Sequence, residues 1–61
     1  MTPEWSRRIA ALKFAPIILA LELPERFAFF DRCTAAKTIK DLSDADRDAF
    51  LRAELEVKRA A

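Results

Sequence analysis

The chain has no glycine, no histidine and no tyrosine among its 61 residues, and it has one cysteine. Helices often end on a glycine in the left-handed conformation. We therefore expect these helices to end on side-chain hydrogen bonds, at prolines or in frayed turns. Without histidine the chain lacks the usual general base near neutral pH, and without glycine it lacks a phosphate-binding loop. These absences argue against an enzyme, and we expect no catalytic or cofactor-binding residue.

The remaining reactive residue types have simpler explanations. Cys33 has no second cysteine with which to form an internal disulfide, and a cysteine within an apolar helical segment is usually a small buried hydrophobe. A zinc site of the Cys/His type is excluded by the lack of histidine. Asp44, Asp46 and Asp48 lack the glycine and final glutamate of a calcium loop. We interpret these aspartates as residues of a helix start, where the helix dipole stabilises their negative charge. We therefore expect no metal site.

The small size of the chain limits the stability that it can reach as a monomer. Hydrophobic residues make up 52% and charged residues 34%, a composition typical of a globular protein. In a chain this short, the gain from burying apolar surface and the cost of ordering the backbone nearly cancel. Small domains usually compensate with disulfides, a metal or another subunit. Since the first two are excluded, we expect a homo-oligomer, a dimer first, or a complex with a larger protein.

Charge is nearly balanced over the chain but not along it. The formal net charge is +1, which favours neither nucleic acid nor a membrane as partner. Residues 1–40 have seven basic and four acidic side chains, whereas residues 41–61 have four basic and six acidic ones. The two parts can pair within one chain or between copies, although solvated faces of opposite sign are the simpler interpretation.

One apolar run resembles a targeting segment but is too short. Residues 14–21 form eight apolar residues between Lys13 and Glu22, whereas a membrane-spanning helix needs about 20. Pro16 and the lack of a small-residue cleavage site argue against a secretion signal. We expect a cytoplasmic protein, and its richness in alanine, arginine and aspartate suggests a bacterial or phage source.

Prolines mark the helix starts. Thr2 is predicted to be the N-cap of the first helix, with Pro3 at its first position and Glu4 in its first turn. Pro16 either kinks this helix or starts a new one over residues 16–23, and we favour the new start. The first helix has a core stripe at positions i, i+4 and i+7: Trp5, Ile9 and Leu12.

The second and third helices are rich in apolar residues. Residues 17–21 are apolar all round, which predicts a segment buried on every side. Pro24 marks the start of the third helix. There, Phe27 and Phe30 lie on one side and Phe29 on the other.

The last helix, residues 44–59, has two apolar faces. Ser43 is its predicted N-cap, and an alanine-rich face with Phe50 at its edge is expected to meet the core. Leu51 and Leu55 lie roughly opposite, where a monomer needs no apolar residue. Two acid-first i, i+4 pairs support the helix: Asp48 with Arg52, and Glu54 with Lys58.

The sequence therefore predicts an all-α fold, a compact oligomeric bundle of three or four short helices forming one domain over residues 1–61. We expect a small protein–protein interaction module, an oligomeric adaptor, assembly factor or inhibitor of the kind that phages and mobile elements encode. It would act by helix packing against itself or a larger protein. The partner-binding candidates are Leu51, Leu55, Arg47, Lys58 and Phe29.

The alternative is a small helical DNA-binding regulator, because three or four short helices are also the architecture of helix-turn-helix domains. Its candidate residues are Arg32, Lys37 and Lys40. The lack of a turn glycine and the near-neutral net charge argue against this function. A membrane-surface role for the first helix ranks third, and Trp5 is interpreted as a core anchor rather than a binding residue.

Overall fold

The structure, a computed structural model, describes residues 2–60, which fold into four α-helices with no strand among them. The helices are α1 (Pro3–Ala11), α2 (Pro16–Leu19), α3 (Leu23–Ala35) and α4 (Asp44–Ala60). Two short 3-10 turns, Leu12–Phe14 and Ile39–Asp41, lie between them. The molecule measures 25 × 25 × 18 Å. The prediction of a compact all-α bundle is confirmed.

Three of the helices pack side by side, and α2 joins them through contacts with α4. Helices α1 and α4 run in the same direction, because Trp5 meets Phe50 and, one turn later, Arg8 meets Glu54. Helix α3 runs the opposite way, since its last turn, up to Ala36, meets the start of α1. The short α2 follows α1 closely and turns the chain back into α3.

Three of the predicted helix starts are confirmed, whereas α3 begins at Leu23, one residue before Pro24. The Thr2 hydroxyl accepts the Trp5 backbone N–H at 3.2 Å, with Pro3 as the first residue of α1. The Ser43 hydroxyl accepts the Asp46 backbone N–H at 3.2 Å at the start of α4. Pro16 begins a new helix after an extended Ala15, and so does not kink α1.

Helix ends are closed without any left-handed residue, since no described residue has a positive φ. The end of α3 depends on Trp5, whose indole N–H lies 3.1 Å from the carbonyl oxygens of both Cys33 and Ala36. The last carbonyls of a helix have no partner within it, so they need such a donor. A tryptophan from another helix thus does what a glycine cap usually does.

Two arginines bind backbone carbonyls in the same way, one at the end of α2 and one at the second 3-10 turn. The Arg26 guanidinium donates to the carbonyls of Leu19 and Leu21, both at 3.0 Å, where α2 ends. The Arg47 guanidinium donates to three carbonyls in and after the second 3-10 turn, the shortest at 3.2 Å to Leu42. The expectation that side chains would end the helices is confirmed at these positions.

The core lies where α1, α3 and α4 meet. Trp5 and Phe50 stack at its centre, with ring centroids 4.9 Å apart and planes inclined by 14°. Trp5 and Cys33 are buried, as predicted. The other buried residues are Ile9, Leu12, Ala15, Ile18, Phe29, Ala36, Leu42, Phe50 and Ala53.

The apolar segment between Phe14 and Leu21 is less buried than predicted. Helix α2 ends at Leu19 rather than at residue 23, and only Ile18 on it is fully buried, whereas Leu19 is exposed. A helix of four residues meets so small a bundle with one side only, which leaves its other side to solvent. Among residues 2–60, no helix combines the length and the apolar character needed to cross a membrane.

Opposite charges of the two chain parts pair within the molecule. The Arg8 guanidinium contacts both carboxylate oxygens of Glu54 at 2.7–2.8 Å, and Arg32 contacts those of Asp46 at 2.7–3.0 Å. The simpler interpretation, solvated faces, is corrected at these four residues. Glu54 thus binds Arg8 of α1, and the predicted pair of Glu54 with Lys58 is corrected.

Candidate interaction surfaces

The first candidate surface is the leucine stripe, which we define as Leu51 and Leu55 on α4. Each side chain is 49% exposed, and the two lie one helical turn apart. Phe50 and Ala53 on the same helix are fully buried. The structure therefore places the leucines on the solvent side of α4, as the sequence predicts.

Two charged residues extend the leucine stripe along the same helical face. Asp48 lies three residues before Leu51 and Lys58 three residues after Leu55, spacings that share one face of a helix. Both are exposed. The Asp48 carboxylate also contacts Arg52 Nε at 3.0 Å, as predicted. The stripe is thus acidic towards the start of α4 and basic towards its end.

Two of the predicted partner-binding residues have structural roles instead. Phe29 is only 3% exposed and lies in the core, so its selection as a surface residue is corrected: α3 presents that face to the bundle. Arg47 is half-buried, and its guanidinium binds the carbonyls of Ile39, Lys40 and Leu42. Its donors therefore hold the turn before α4.

The second candidate surface is the phenylalanine patch, which we define as Phe14, Leu23 and Phe27. Their side chains are 82%, 55% and 62% exposed, respectively. Leu23 and Phe27 lie one turn apart on α3. A groove between α1 and α3 has Lys13 and Phe30 among its lining residues. Phe14 follows Lys13, and Phe27 lies one turn before Phe30, so both lie towards the same end of this helix pair.

Sequence reasoning missed the phenylalanine patch. The helical spacing separates Phe27 from Phe29 on α3, but it does not say which of the two faces the bundle. The useful signal was the i, i+4 pair of Leu23 and Phe27, which has the same spacing as the leucine stripe. Phe14 had no such signal, because it lies in a 3-10 turn between two helices.

The nucleic-acid candidates are not arranged as one reading element. Arg32 lies on α3, Lys37 in the segment after it, and Lys40 in the second 3-10 turn. The Arg32 guanidinium is bound to both oxygens of Asp46. This hydrogen bond, with the Arg32 charge, holds the pKa of the Asp46 carboxyl below its usual range. Of the three, Arg32 is therefore already committed to an acidic partner.

The buried cysteine, Cys33, is not activated. Cys33 is fully buried, and burial raises the pKa of its thiol to about 11, with the Asp46 charge adding to the effect and Arg32 opposing it. A thiol with a raised pKa is a poor nucleophile at neutral pH. In the described part of the chain, no three cysteine or carboxylate side chains are grouped so as to hold a metal ion.

Comparison with known proteins gives no relative from which a role can be transferred. The chain matches no family model, and neither a curated protein nor a solved structure matches it.

Proposed function

We propose that this protein is a small cytoplasmic interaction module, an oligomeric adaptor, assembly factor or inhibitor that packs helices against a second copy or a larger protein. One observation carries the proposal. Four large apolar side chains are about half exposed or more in two i, i+4 pairs, Leu51 with Leu55 and Leu23 with Phe27. No catalytic step is part of this proposal.

The pairing of these residues matters more than their exposure. Single exposed leucines are common on soluble proteins and need no explanation. Adjacent ones form contiguous apolar surface, which is typical of a contact site. Phe14, in the turn after α1, adds a further exposed apolar side chain. The molecule thus has apolar contact area on two helices, in addition to the face of each that forms the core.

Charge placement supports a protein partner over DNA. Arg8 and Arg32 are bound to Glu54 and Asp46, and Arg47 to backbone carbonyls. DNA binding depends on basic side chains that are available to phosphates. These arginines would have to give up their present partners to contact a duplex, which costs free energy.

The test compares three forms of the protein. In the first variant, Leu51→Lys with Leu55→Lys, the leucine stripe becomes polar. The matched control, Ala45→Lys with Ala60→Lys, adds the same charge at exposed positions of α4 outside the stripe. We expect the leucine variant to lose self-association, measured by light scattering after size exclusion, or capture of a partner, while its helical circular dichroism signal and that of the control stay close to wild type.

Three results would contradict the proposal. If the leucine variant unfolds while the control does not, the leucines belong to the monomer core. If a Phe14→Ser, Phe27→Ser variant and the leucine variant both associate as the wild type does, neither surface is a contact site. If one duplex sequence binds at about 10⁻⁸ M with a steep loss as salt rises, the DNA-binding alternative replaces the proposal. We expect random duplex to bind no tighter than about 10⁻⁴ M.

A further inference from the structure

We infer that the leucine stripe binds a second copy of this chain, with the two α4 helices antiparallel about a twofold axis. The inference rests on the proposed function and names the occupant and its register. Its basis is the order of side chains along one exposed helical face: Asp48, Leu51, Leu55 and Lys58. All four are exposed, so no other helix among residues 2–60 covers this face, although Asp48 also contacts Arg52 on the same helix.

The spacing fixes the register. The midpoint between Leu51 and Leu55 along α4 is also the midpoint between Asp48 and Lys58. An axis through this point places Leu51 opposite Leu55 of the second copy, and Asp48 opposite Lys58 of the second copy, each twice. The apolar pair thus lies at the centre with an opposite-charge pair on either side. The surface is self-complementary, which is the requirement for a twofold dimer.

A parallel pairing of the same face is disfavoured by charge. It would place Asp48 against Asp48 and Lys58 against Lys58, and like charges at a contact are destabilising. The macrodipoles of two helices also favour the antiparallel arrangement, since the positive end of each then lies near the negative end of the other. Both effects select the same orientation.

The flanks of the stripe limit the affinity. On one flank, Arg47 is bound to backbone carbonyls and Glu54 to Arg8 within the chain, so neither adds an opposite-charge pair between copies. On the other flank, Arg52 lies near Arg59 of the second copy, which is unfavourable, although the Asp48 carboxylate at 3.0 Å partly offsets the Arg52 charge. Two leucines per copy make a small interface. We therefore expect a weak dimer that forms between about 10 µM and about 1 mM.

The phenylalanine patch has more exposed apolar surface but does not carry this inference. Nothing about its surroundings selects an occupant. The leucine stripe differs because the charges of the same helical face specify both the partner and its direction.

The test is a charge exchange measured by sedimentation equilibrium on the full chain. Asp48→Lys and Lys58→Asp each turn both charged pairs repulsive, and we expect each variant to dimerise about tenfold more weakly than wild type. The double variant, Asp48→Lys with Lys58→Asp, restores opposite charges across the axis. We expect it to recover wild-type association.

The double variant also controls for effects within the helix. Asp48→Lys loses the contact with Arg52, and Lys58→Asp places a negative charge at the negative end of α4. Both penalties are present in the double variant, so its recovery isolates the contact between copies. Circular dichroism checks that helix content is the same in all forms.

Each outcome decides between the inference and the broader proposal. Equal association of all the charge forms, with loss in Leu51→Lys, Leu55→Lys, overturns the antiparallel register but leaves the interaction module standing. A wild type that stays at 7.0 kDa up to about 1 mM overturns the inference. If the wild type is monomeric but a larger protein binds through the leucine stripe, the proposed function stands. If neither the leucine variant nor the phenylalanine variant changes any self-association or partner binding, both the inference and the proposed function are overturned.

Discussion

At the residue scale, Trp5 connects three helices. Its ring stacks on Phe50 of α4, its indole N–H closes α3, and the Arg8 guanidinium lies 5.4 Å from its ring centroid. Arg8 in turn binds Glu54. A cation over an aromatic face is attracted by the ring quadrupole, so packing and charge reinforce each other here. Trp5 is therefore a core anchor, as the sequence predicts.

The reactivity of the Cys33 thiol can test whether the interior is closed to solvent and reagents. Because burial raises the pKa of its thiol to about 11, only about one molecule in a thousand carries a thiolate at pH 8. We expect a thiol reagent to label the native protein at least about a hundredfold more slowly than the urea-unfolded protein. Cys33→Ala should cost mainly packing, about 1 kcal/mol or more.

Labelling by a maleimide, followed by mass spectrometry at several urea concentrations, measures this directly. A native rate close to the unfolded rate would show an accessible thiol and would reopen a redox or covalent role for Cys33.

At the element scale, α2 depends on a residue far away in the chain. Pro16 has no N–H, and the Ile17 backbone N–H is accepted by Glu56 Oε1 of α4 at 2.9 Å. No local side chain caps this helix. With Arg26 binding the carbonyls at its other end, α2 is held by α3 and α4 rather than by its own sequence.

Glu56 can be changed to test this distant cap. Glu56→Ala removes the acceptor, and we expect a loss of about 0.5–2 kcal/mol in the free energy of unfolding, the range for helix N-caps. Glu56→Gln keeps an acceptor oxygen and should lose less. Urea denaturation followed by circular dichroism measures both variants, and an equal loss in the two would mean that the charge rather than the hydrogen bond is responsible.

At the scale of the whole molecule, ion pairs join the basic first part of the chain to the acidic last part. Asp46 shows how this depends on pH. Its pKa is lowered in the folded protein by the hydrogen bond and charge of Arg32 and by its contact with Ser43. A carboxyl with a lowered folded-state pKa stabilises the fold above its unfolded value, about 3.9, and loses that contribution as pH falls further.

We therefore expect Asp46→Asn to reduce the free energy of unfolding by about 0.5–1 kcal/mol at pH 7. The difference from wild type should shrink as pH falls from about 4 towards the lowered folded-state pKa. Asp31→Asn, at an exposed position of α3, is the matched control. A difference that stays constant from pH 7 down to pH 2 would mean that Asp46 acts through packing rather than charge.

Much of the fold was determined by the sequence alone. Thr2, Pro3 and Ser43 specify helix starts through local hydrogen bonds and a fixed φ, which involve residues no more than four apart. The lack of glycine predicted that the helices end on side-chain hydrogen bonds, at prolines or in frayed turns, but it did not identify the donors. The exposure of Leu51 and Leu55 followed from helical period, because Phe50 and Ala53 occupy the opposite face.

Only the tertiary structure decided which donors, acceptors and faces meet. Trp5 closes α3 across 31 residues, and Glu56 caps α2 across 39. Such pairs have no local sequence pattern, because they form only once the helices pack. The same holds for α3, where the helical period separates Phe27 from Phe29, but packing in the bundle buries Phe29 and leaves Phe27 in solvent. The phenylalanine patch is thus a product of packing, whereas the leucine stripe is already present in the sequence.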